Sequence, residues 1–451
     1  MLKVVVVGGN AAGMSAASRA KRLKPDLNVI VFERGNYVSY GPCGIPYYVS
    51  GVVGRLEDLI HEPLETFVRE RGIDVKIRCE VVDIDTSGKS VTIIDRDSGR
   101  ENIVEYDKLV LATGGKPLVP RIDGVELEGV YTLRRLEDAN ELMKGLLKAE
   151  KVVIVGGGYI GVEMAEAITK LGKKVTVLEM MPYILPNFDS DVSQCVEREL
   201  KAHGVEVRTG EKVIELKGKD SVSKVVTEKE SYDADMVLLA VGVKPNVDLA
   251  MKAGINLGIT GAIKVNERMQ TSKEDIYAAG DNTETINIVT GKPTYNPLAP
   301  TANKMGRVAG TNVAGFQAVF KGVVGSAVLK VFNIEAGRTG LSSKEAEREG
   351  FNVASATIES ITKSKYCPGV KKIKIKLIAD ADTGRLLGAQ IIGEEGVSGR
   401  INTLATALMS DMNVYDVAML DLAYHPYFGP VWDPIIVAAS VVLRQIKVRR
   451  V

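Results

Sequence analysis

One unit occurs twice in this chain: a short apolar strand, a glycine-rich turn, a helix, and a second strand ending in glutamate. In the first copy, residues 4–7 are four valines, read as a buried parallel strand. The turn Gly8-Gly9-Asn10-Ala11-Ala12-Gly13 follows, small residues over 14–20 open a helix, and a strand over 29–32 reaches Glu33. In the second copy, a strand over 152–155 leads into Gly156-Gly157-Gly158-Tyr159-Ile160-Gly161. A helix then runs through Leu171, and a strand over 175–178 ends at Glu179. Such glycines permit a tight turn and close backbone approach, so that a pyrophosphate rests on the helix N-terminus. The glutamate falls about 20 residues after the last glycine, where a carboxylate accepts hydrogen bonds from a ribose. A lone glycine fingerprint is weak, but two copies with every part in order point to two bound dinucleotides. Plain glycine turns between packed strands, without a ligand, are the competing reading.

The rest of the chain can be placed around these units. A strand over 107–114 runs into Ala112-Thr113-Gly114, and a similar pattern over 236–242 ends at Gly242, ahead of Lys244-Pro245-Asn246. Pro117, Pro120 and Gly124 mark a crossing between domains. An apolar strand over 276–279 ends in Gly280-Asp281, and residues 304–312 read as a helix. From about residue 325 strands over 327–332, 353–361, 373–378 and 386–392 alternate with turns, and helices over 399–411 and 434–446 follow. The expected fold class is α/β, with two Rossmann-like dinucleotide-binding domains and an α+β C-terminal domain. At 451 residues the chain is too long for one core. Residues 1–115 and 243–324 are expected to form the first domain, 116–242 the second, and 325–451 the third.

With 58 basic and 57 acidic side chains the net charge is +1, which gives no reason to expect nucleic-acid or anionic-membrane binding. The N-terminal apolar run stops at Gly8 and the longest C-terminal one covers 435–443, short of a signal segment or a membrane span. A soluble, cytoplasmic protein is expected. Cys43, Cys79, Cys195 and Cys367 are scattered and pair with none of His61, His203 and His425 at a metal-ligand spacing. Neither a disulfide framework nor a metal site is expected, and the pattern suits a reducing compartment. Cys79, in an alternating strand over 75–84, and Cys195, on a helix with Val192 and Val196, read as packing residues. Cys43 differs, because Gly41-Pro42 before it and Gly44 and Pro46 after it fix a loop that leads into a helix. Backbone N–H groups and a positive helix end there favour thiolate over thiol. A purely structural cysteine is the alternative. No second cysteine lies four or five residues away, so an internal redox disulfide is not available.

In order and over essentially the whole chain, these motifs resemble the flavoprotein disulfide reductases with two dinucleotide-binding domains. Ser39-Tyr40-Gly41-Pro42-Cys43-Gly44-Ile45-Pro46-Tyr47 is similar to the single-cysteine motif of the coenzyme A disulfide reductases and related persulfide and sulfur reductases. Ala423-Tyr424 and Val431-Trp432-Asp433-Pro434 are similar to that group as well. The resemblance implies FAD on the first unit, held by Gly8, Asn10, Ala11, Ala12 and Gly13, with Glu33 on the adenosine ribose. Ala112, Thr113, Gly114, Gly280, Asp281 on the ribityl chain, and Pro297, Leu298 and Ala299 complete that site. It implies NADH or NADPH on Gly156, Gly158, Tyr159, Ile160, Gly161, Glu179 and Gly242, with Tyr159 as a gate to the nicotinamide and Glu163 near its carboxamide. Glu179, followed by Met180 and Met181 rather than a cation, favours NADH.

The resemblance also implies a homodimer in which the C-terminal domain delivers Tyr366 and Tyr424 to Cys43 of the other subunit. Arg19 and Arg22 lie one turn apart on the first helix, which in the family borders the channel for coenzyme A; Ser39 and Asn303 match positions near the bound thiol. The run 19–24 fits a solvated basic face equally well, and the two tyrosines fit ordinary interface aromatics. Asn10 stands where peroxidases and several oxidases of the superfamily carry histidine, which argues against a dedicated peroxidase. Cys367, beside Tyr366, is expected at a strand end with its side chain turned away. The implied activity passes electrons from NAD(P)H through FAD to Cys43, which forms a mixed disulfide with coenzyme A or another small thiol. An NADH oxidase making peroxide or water, and a redox-sensing flavoprotein, are the alternatives.

Overall fold

The computed structural model describes residues 2–447. Its first sheet is parallel throughout and reads, edge to edge, Ile276–Ala278, Lys108–Leu111, Lys3–Val7, Asn28–Phe32, Asp74–Lys76. Its second, also parallel, reads Glu206–Thr209, Lys174–Glu179, Lys151–Val155, Met236–Leu239, Val130–Thr132. Helices cover both faces of such sheets, which is why their central strands are runs of buried Val, Ile and Leu. The repeat in sequence is a repeat in space. Gly8 N donates to Phe32 O and Gly156 N to Leu178 O, each at 2.8 Å. Ala112 N donates to Val7 O and Ala240 N to Val155 O, again at 2.8 Å. Each glycine turn thus opens at the C-terminal edge of its sheet, between a central strand and the helix that follows it.

Helix Ala299–Val313 packs directly on helix Ala11–Leu23. A Cβ at Gly306 or Gly310 would come within 2.2 Å of Ala12 O or Ala16 O, so only glycine lets these backbones touch. The helix begins five residues before the expected 304, because Pro300 sits in its first turn, where a missing N–H costs no hydrogen bond. The strand expected over 75–84 is two strands in different sheets. Arg78 adopts a left-handed backbone (φ 56°) and turns the chain out of the parallel sheet. Cys79–Asp85 then joins Ser90–Asp95 and Glu101–Glu105 in an antiparallel three-stranded sheet.

The C-terminal sheet is antiparallel, in the order Ala327–Val331, Ile334–Gly340, Leu386–Gly393, Lys372–Asp380, Val353–Ile361. Strand Ile334–Gly340 was not foreseen, since Ala336, Gly337 and Gly340 give it little apolar alternation. Helix Val397–Met409 crosses over Gly337, whose missing side chain leaves room for Val397 and Ile401. Helix Pro434–Val442 is shorter than the expected 434–446 and closes with a single 3₁₀ turn, Leu443–Gln445. Among the described residues no helix is long and apolar enough to cross a membrane.

Candidate functional site

Both turns are built so that only glycine fits. Gly8 and Gly156 have φ of 106° and 108°, and a Cβ on either would lie 2.2 or 2.5 Å from the carbonyl oxygen of Ala112 or Ala240. A Cβ on Gly13 or Gly161 would lie 1.8 or 1.9 Å from the oxygen of Gly8 or Gly156, so these residues press helix onto turn. The two glutamates occupy matching seats. Glu33 accepts from Gly9 N and Gly35 N, both at 2.7 Å. Glu179 accepts from Gly157 N at 2.7 Å and Met181 N at 2.8 Å. Each carboxylate therefore stands at the rim of its turn, held in place by the turn's own amides.

Asn10 and Gly158 precede the two helices, and neither caps its helix by a side-chain hydrogen bond. Asparagine is a strong N-cap residue, yet Asn10 Oδ1 instead accepts from Tyr40 N at 3.0 Å. The first-turn amides of helix Ala11–Leu23 are left facing the turn, which suits a phosphate. The Asn10 carboxamide thus ties the turn to the cysteine loop.

That loop is fixed by its backbone. Ser39, at φ 51°, donates its N–H to Gly9 O (3.0 Å) and accepts from His61 N (2.8 Å), and Gly41 N donates to Leu59 O at 2.9 Å. Cys43 lies in the short turn Pro42–Gly44, which runs into helix Ile45–Val49. Its side chain is exposed to solvent. The expectation of a favoured thiolate is corrected here: the packed wall behind Cys43 desolvates it, and Glu163 and Asp281 add negative potential, so its thiol is pushed up. Arg134 opposes them without prevailing, and a helix of five residues has little dipole to contribute.

Glu163 projects from helix Tyr159–Lys170, and burial followed by Glu166 pushes its carboxyl up to about 7. Tyr159, the first residue of that helix, is half-buried and meets the Phe188 ring edge-on at 6.2 Å between centroids. The carboxylate of Asp281 pairs with Arg134, a residue that no motif announces. Thr113 Oγ1 donates to Asn246 O at 2.7 Å and accepts from Asn282 Nδ2 at 3.1 Å, which joins the ends of three strands. Gly114 and Gly242 both turn at positive φ, and Gly280 has φ 94° with a built Cβ 2.8 Å from Ala12 Cβ. Pro297 and Leu298 lead into Ala299 at the start of its helix, beside Gly280 and the first turn.

The basic residues lie on two helices in contact. Arg19 donates to Thr311 Oγ1 at 3.0 Å, whereas Arg22 is exposed. Ser15 Oγ donates to Asn303 Oδ1 at 2.7 Å, which links the same two helices nearer the turn. Lys304 and Arg307 are exposed on helix Ala299–Val313 and were missed from the sequence. The packing of that helix on Ala11–Leu23 sets the two basic helices side by side.

Tyr366 and Tyr424 are brought together. The neighbouring Tyr424 phenol pushes the Tyr366 phenol up, and the two residues are 76% and 50% exposed. No hydrogen bond among the described residues joins either to Cys43 of the same chain. Tyr427, Phe428, Val431 and Trp432 extend the exposed aromatic patch. Cys367 sits in a turn, not at a strand end as expected. It is buried with its S–H directed to Pro426 O (3.3 Å), and Ser364 N donates to the same oxygen. Its sulfur thus anchors the turn that presents Tyr366 to the segment that carries Tyr424.

Residues 2–306 match the family model described as pyridine nucleotide-disulphide oxidoreductase, and residues 326–434 match the dimerisation domain of that family. The chain belongs to this family. The mixed α/β fold expected from sequence, with Rossmann-type units and a C-terminal dimerisation domain, is the family's fold, and the protein is an oxidoreductase. It is 48% identical over 441 residues to the CoA-dependent NAD(P)H sulfur oxidoreductase of Pyrococcus abyssi, covering 97% of each chain. It superimposes on the NAD-dependent persulfide reductase of A. fulgidus with a TM-score of 0.96 and 41% identity, over 98% of this chain and 83% of that one. An NADH oxidase of Methanocaldococcus jannaschii is more distant, at 36% identity over 448 residues and 99% of each chain.

Proposed function

We propose that this family member is an FAD-dependent NAD(P)H oxidoreductase that reduces disulfides or persulfides of coenzyme A, or of a similar small thiol, through Cys43 alone. The observation that carries this reading is the isolation of an exposed cysteine on a backbone-fixed loop. All four cysteines are free; Cys367 is buried in its turn, Cys79 lies in the antiparallel sheet, and Cys195 lies on helix Ser190–Ala202. With no second cysteine of the chain beside Cys43, the partner sulfur comes from the substrate.

The two glycine turns, with Glu33 and Glu179 at their rims, fit two dinucleotides. FAD, held on the first turn, supplies the two-electron relay between nicotinamide and sulfur. The chain's own work is exchange and proton handling. The Cys43 thiolate attacks one sulfur of the substrate, forming a Cys43–S–S–R bond and breaking the original S–S bond, and the second sulfur leaves as thiolate. Tyr366 and Tyr424, presented by the other subunit of a homodimer, donate the proton that this leaving group takes up. Glu163, poised near neutrality, holds a proton beside the cysteine. Arg22, with Arg19, Lys304 and Arg307, supplies positive charge for the phosphates of coenzyme A.

Incubation with CoA disulfide followed by mass spectrometry tests this reading. One coenzyme A adduct, removable by dithiothreitol and confined to Cys43, is the expected result. An adduct on another cysteine, or none, would sink it. The rival oxidase reading is separated by Arg22→Glu, which weakens use of CoA disulfide but leaves oxygen reduction unchanged, since oxygen needs no cation.

Glu179 also bears on nucleotide choice. Its carboxylate faces the position of the adenosine ribose, and the neighbouring Met180 and Met181 offer no cation for a 2′-phosphate. NADH is expected to exceed NADPH in kcat/KM by at least about tenfold, the size of one charge-assisted hydrogen bond gained or lost. A higher kcat/KM for NADPH would refute this assignment.

A further inference from the structure

The ring of Tyr159 leans on Phe188, and Phe188 belongs to a strap, residues 185–189, that is fastened at both ends. At one end Leu185, in a left-handed conformation (φ 48°), donates its N–H to Gly157 O in the nucleotide turn at 2.8 Å. At the other, the C-terminal domain grips the residues on both sides of Phe188. Asn187 O accepts from Arg338, whose other nitrogen binds Glu345 Oε2 (2.6 Å) and Gly340 O (2.7 Å). Asp189 N donates to Gln390 Oε1 at 2.8 Å, and the Asp189 carboxylate accepts from Ser343 Oγ (2.8 Å) and pairs with Lys376 Nζ (2.9 Å). Lys376 also reaches Asp191 at 3.2 Å.

This grip is dry and charged, with Asp189 4% exposed and Gln390 1% exposed. Gln390 keeps its bond to Asp189 although its Nε2 is buried without a partner among the described residues. Charges removed from water are costly unless paired, and apolar side chains would join two domains as well. What paired charges add is a single geometry, and a reacting group displaced by about 1 Å can lose about a hundredfold in rate.

We propose that Asp189, Lys376 and Arg338 are positioning residues through which the C-terminal domain, by way of Phe188, sets the Tyr159 ring that gates the nicotinamide. The inference rests on the reading of Tyr159 as that gate. It assigns the dimerisation domain a part in the NADH half of the reaction, besides its part at the sulfur.

Lys376→Met, which keeps the stem and removes the charge, tests it in the FAD-loaded enzyme. Flavin reduction by NADH, followed by stopped-flow absorbance, is expected to slow about tenfold, with reoxidation of the dithionite-reduced enzyme by CoA disulfide within about twofold of the parent. Amide hydrogen exchange over 185–189 is expected to accelerate. The milder Asp189→Asn, which retains the hydrogen bonds to Ser343 and Gln390, is expected to show the same split. If the methionine variant does not fold, the asparagine variant decides. The double variant is expected to be no slower than Lys376→Met alone, as for two partners in one contact. Slowing of both half-reactions alike, or of neither, overturns the proposal. Tyr159→Ala separates the two ideas. If it leaves flavin reduction by NADH unchanged, the gate reading falls and the inference with it. If it changes that rate while Lys376→Met does not, the clamp alone is refuted.

Discussion

Replacing Cys43 with serine is expected to abolish turnover of the sulfur substrate, by at least about a thousandfold, while the protein stays folded and yellow with bound FAD. The loop that carries Cys43 is held by backbone groups of Ser39, Tyr40 and Gly41, bonded to Gly9, Asn10 and Leu59, and the cysteine side chain takes no part in that fastening. Serine fits the same space, so the loop and the nearby turn should keep their form. The hydroxyl, however, forms no mixed disulfide. Stopped-flow reduction of the flavin by NADH should therefore persist at close to the parent rate, and steady-state reduction of CoA disulfide or a CoA persulfide should vanish. Substantial sulfur turnover in this variant would show that electrons leave by another route.

A mixed dimer is expected to reveal sites shared between subunits. Tyr366 and Tyr424 are neighbours and exposed, within an aromatic patch of the dimerisation domain. If that patch is sealed against a second copy, it leaves water and the two phenols are expected at the other subunit's site. Tyr366→Phe with Tyr424→Phe in both subunits should leave flavin reduction by NADH intact and slow sulfur reduction about a hundredfold, the span of a lost general acid. Now combine one subunit bearing Cys43→Ser with one bearing both phenylalanines. If the tyrosines act across the dimer, one composite site holds both lesions and the other is whole, so about half the parent rate survives. If they act within their own chain, neither site is whole. Activity near that of the doubly phenylalanine-substituted homodimer would then refute the shared arrangement.

The loop and the folded surroundings push the Cys43 thiol in opposite directions. Read from its loop alone, Cys43 is poised as a thiolate by the start of a helix. In the fold the helix is only five residues long, and burial, followed by the negative charge of Glu163 and Asp281, pushes the thiol up instead. The charge that favours the thiolate comes from Arg134, which is far away in sequence and already paired with Asp281.

What the sequence determined by itself is whatever a few neighbouring residues can encode. Gly8, Gly13, Gly156 and Gly161 declare the two turns because a side chain there would strike the backbone within a few residues or on the adjoining strand. Glu33 and Glu179 follow at the spacing that one helix and one strand impose. The glycine and proline residues around Cys43 mark its loop in the same way. Where the reading failed, the deciding partner was distant. Strand Ile334–Gly340 carries little alternation, and it is a strand because Ala327–Val331 and Leu386–Gly393 pair with it on either side. The break at Arg78 is one left-handed residue inside an otherwise regular alternation. The helix of Lys304 and Arg307 lies against that of Arg19 and Arg22 only because Gly306 and Gly310 let the two touch. The pairing of Arg134 with Asp281, the meeting of Tyr366 with Tyr424, and the grip of Lys376 on Asp189 have no signature in the chain. Coulomb interactions and desolvation act through space, and the distances on which they depend exist only after the chain has folded.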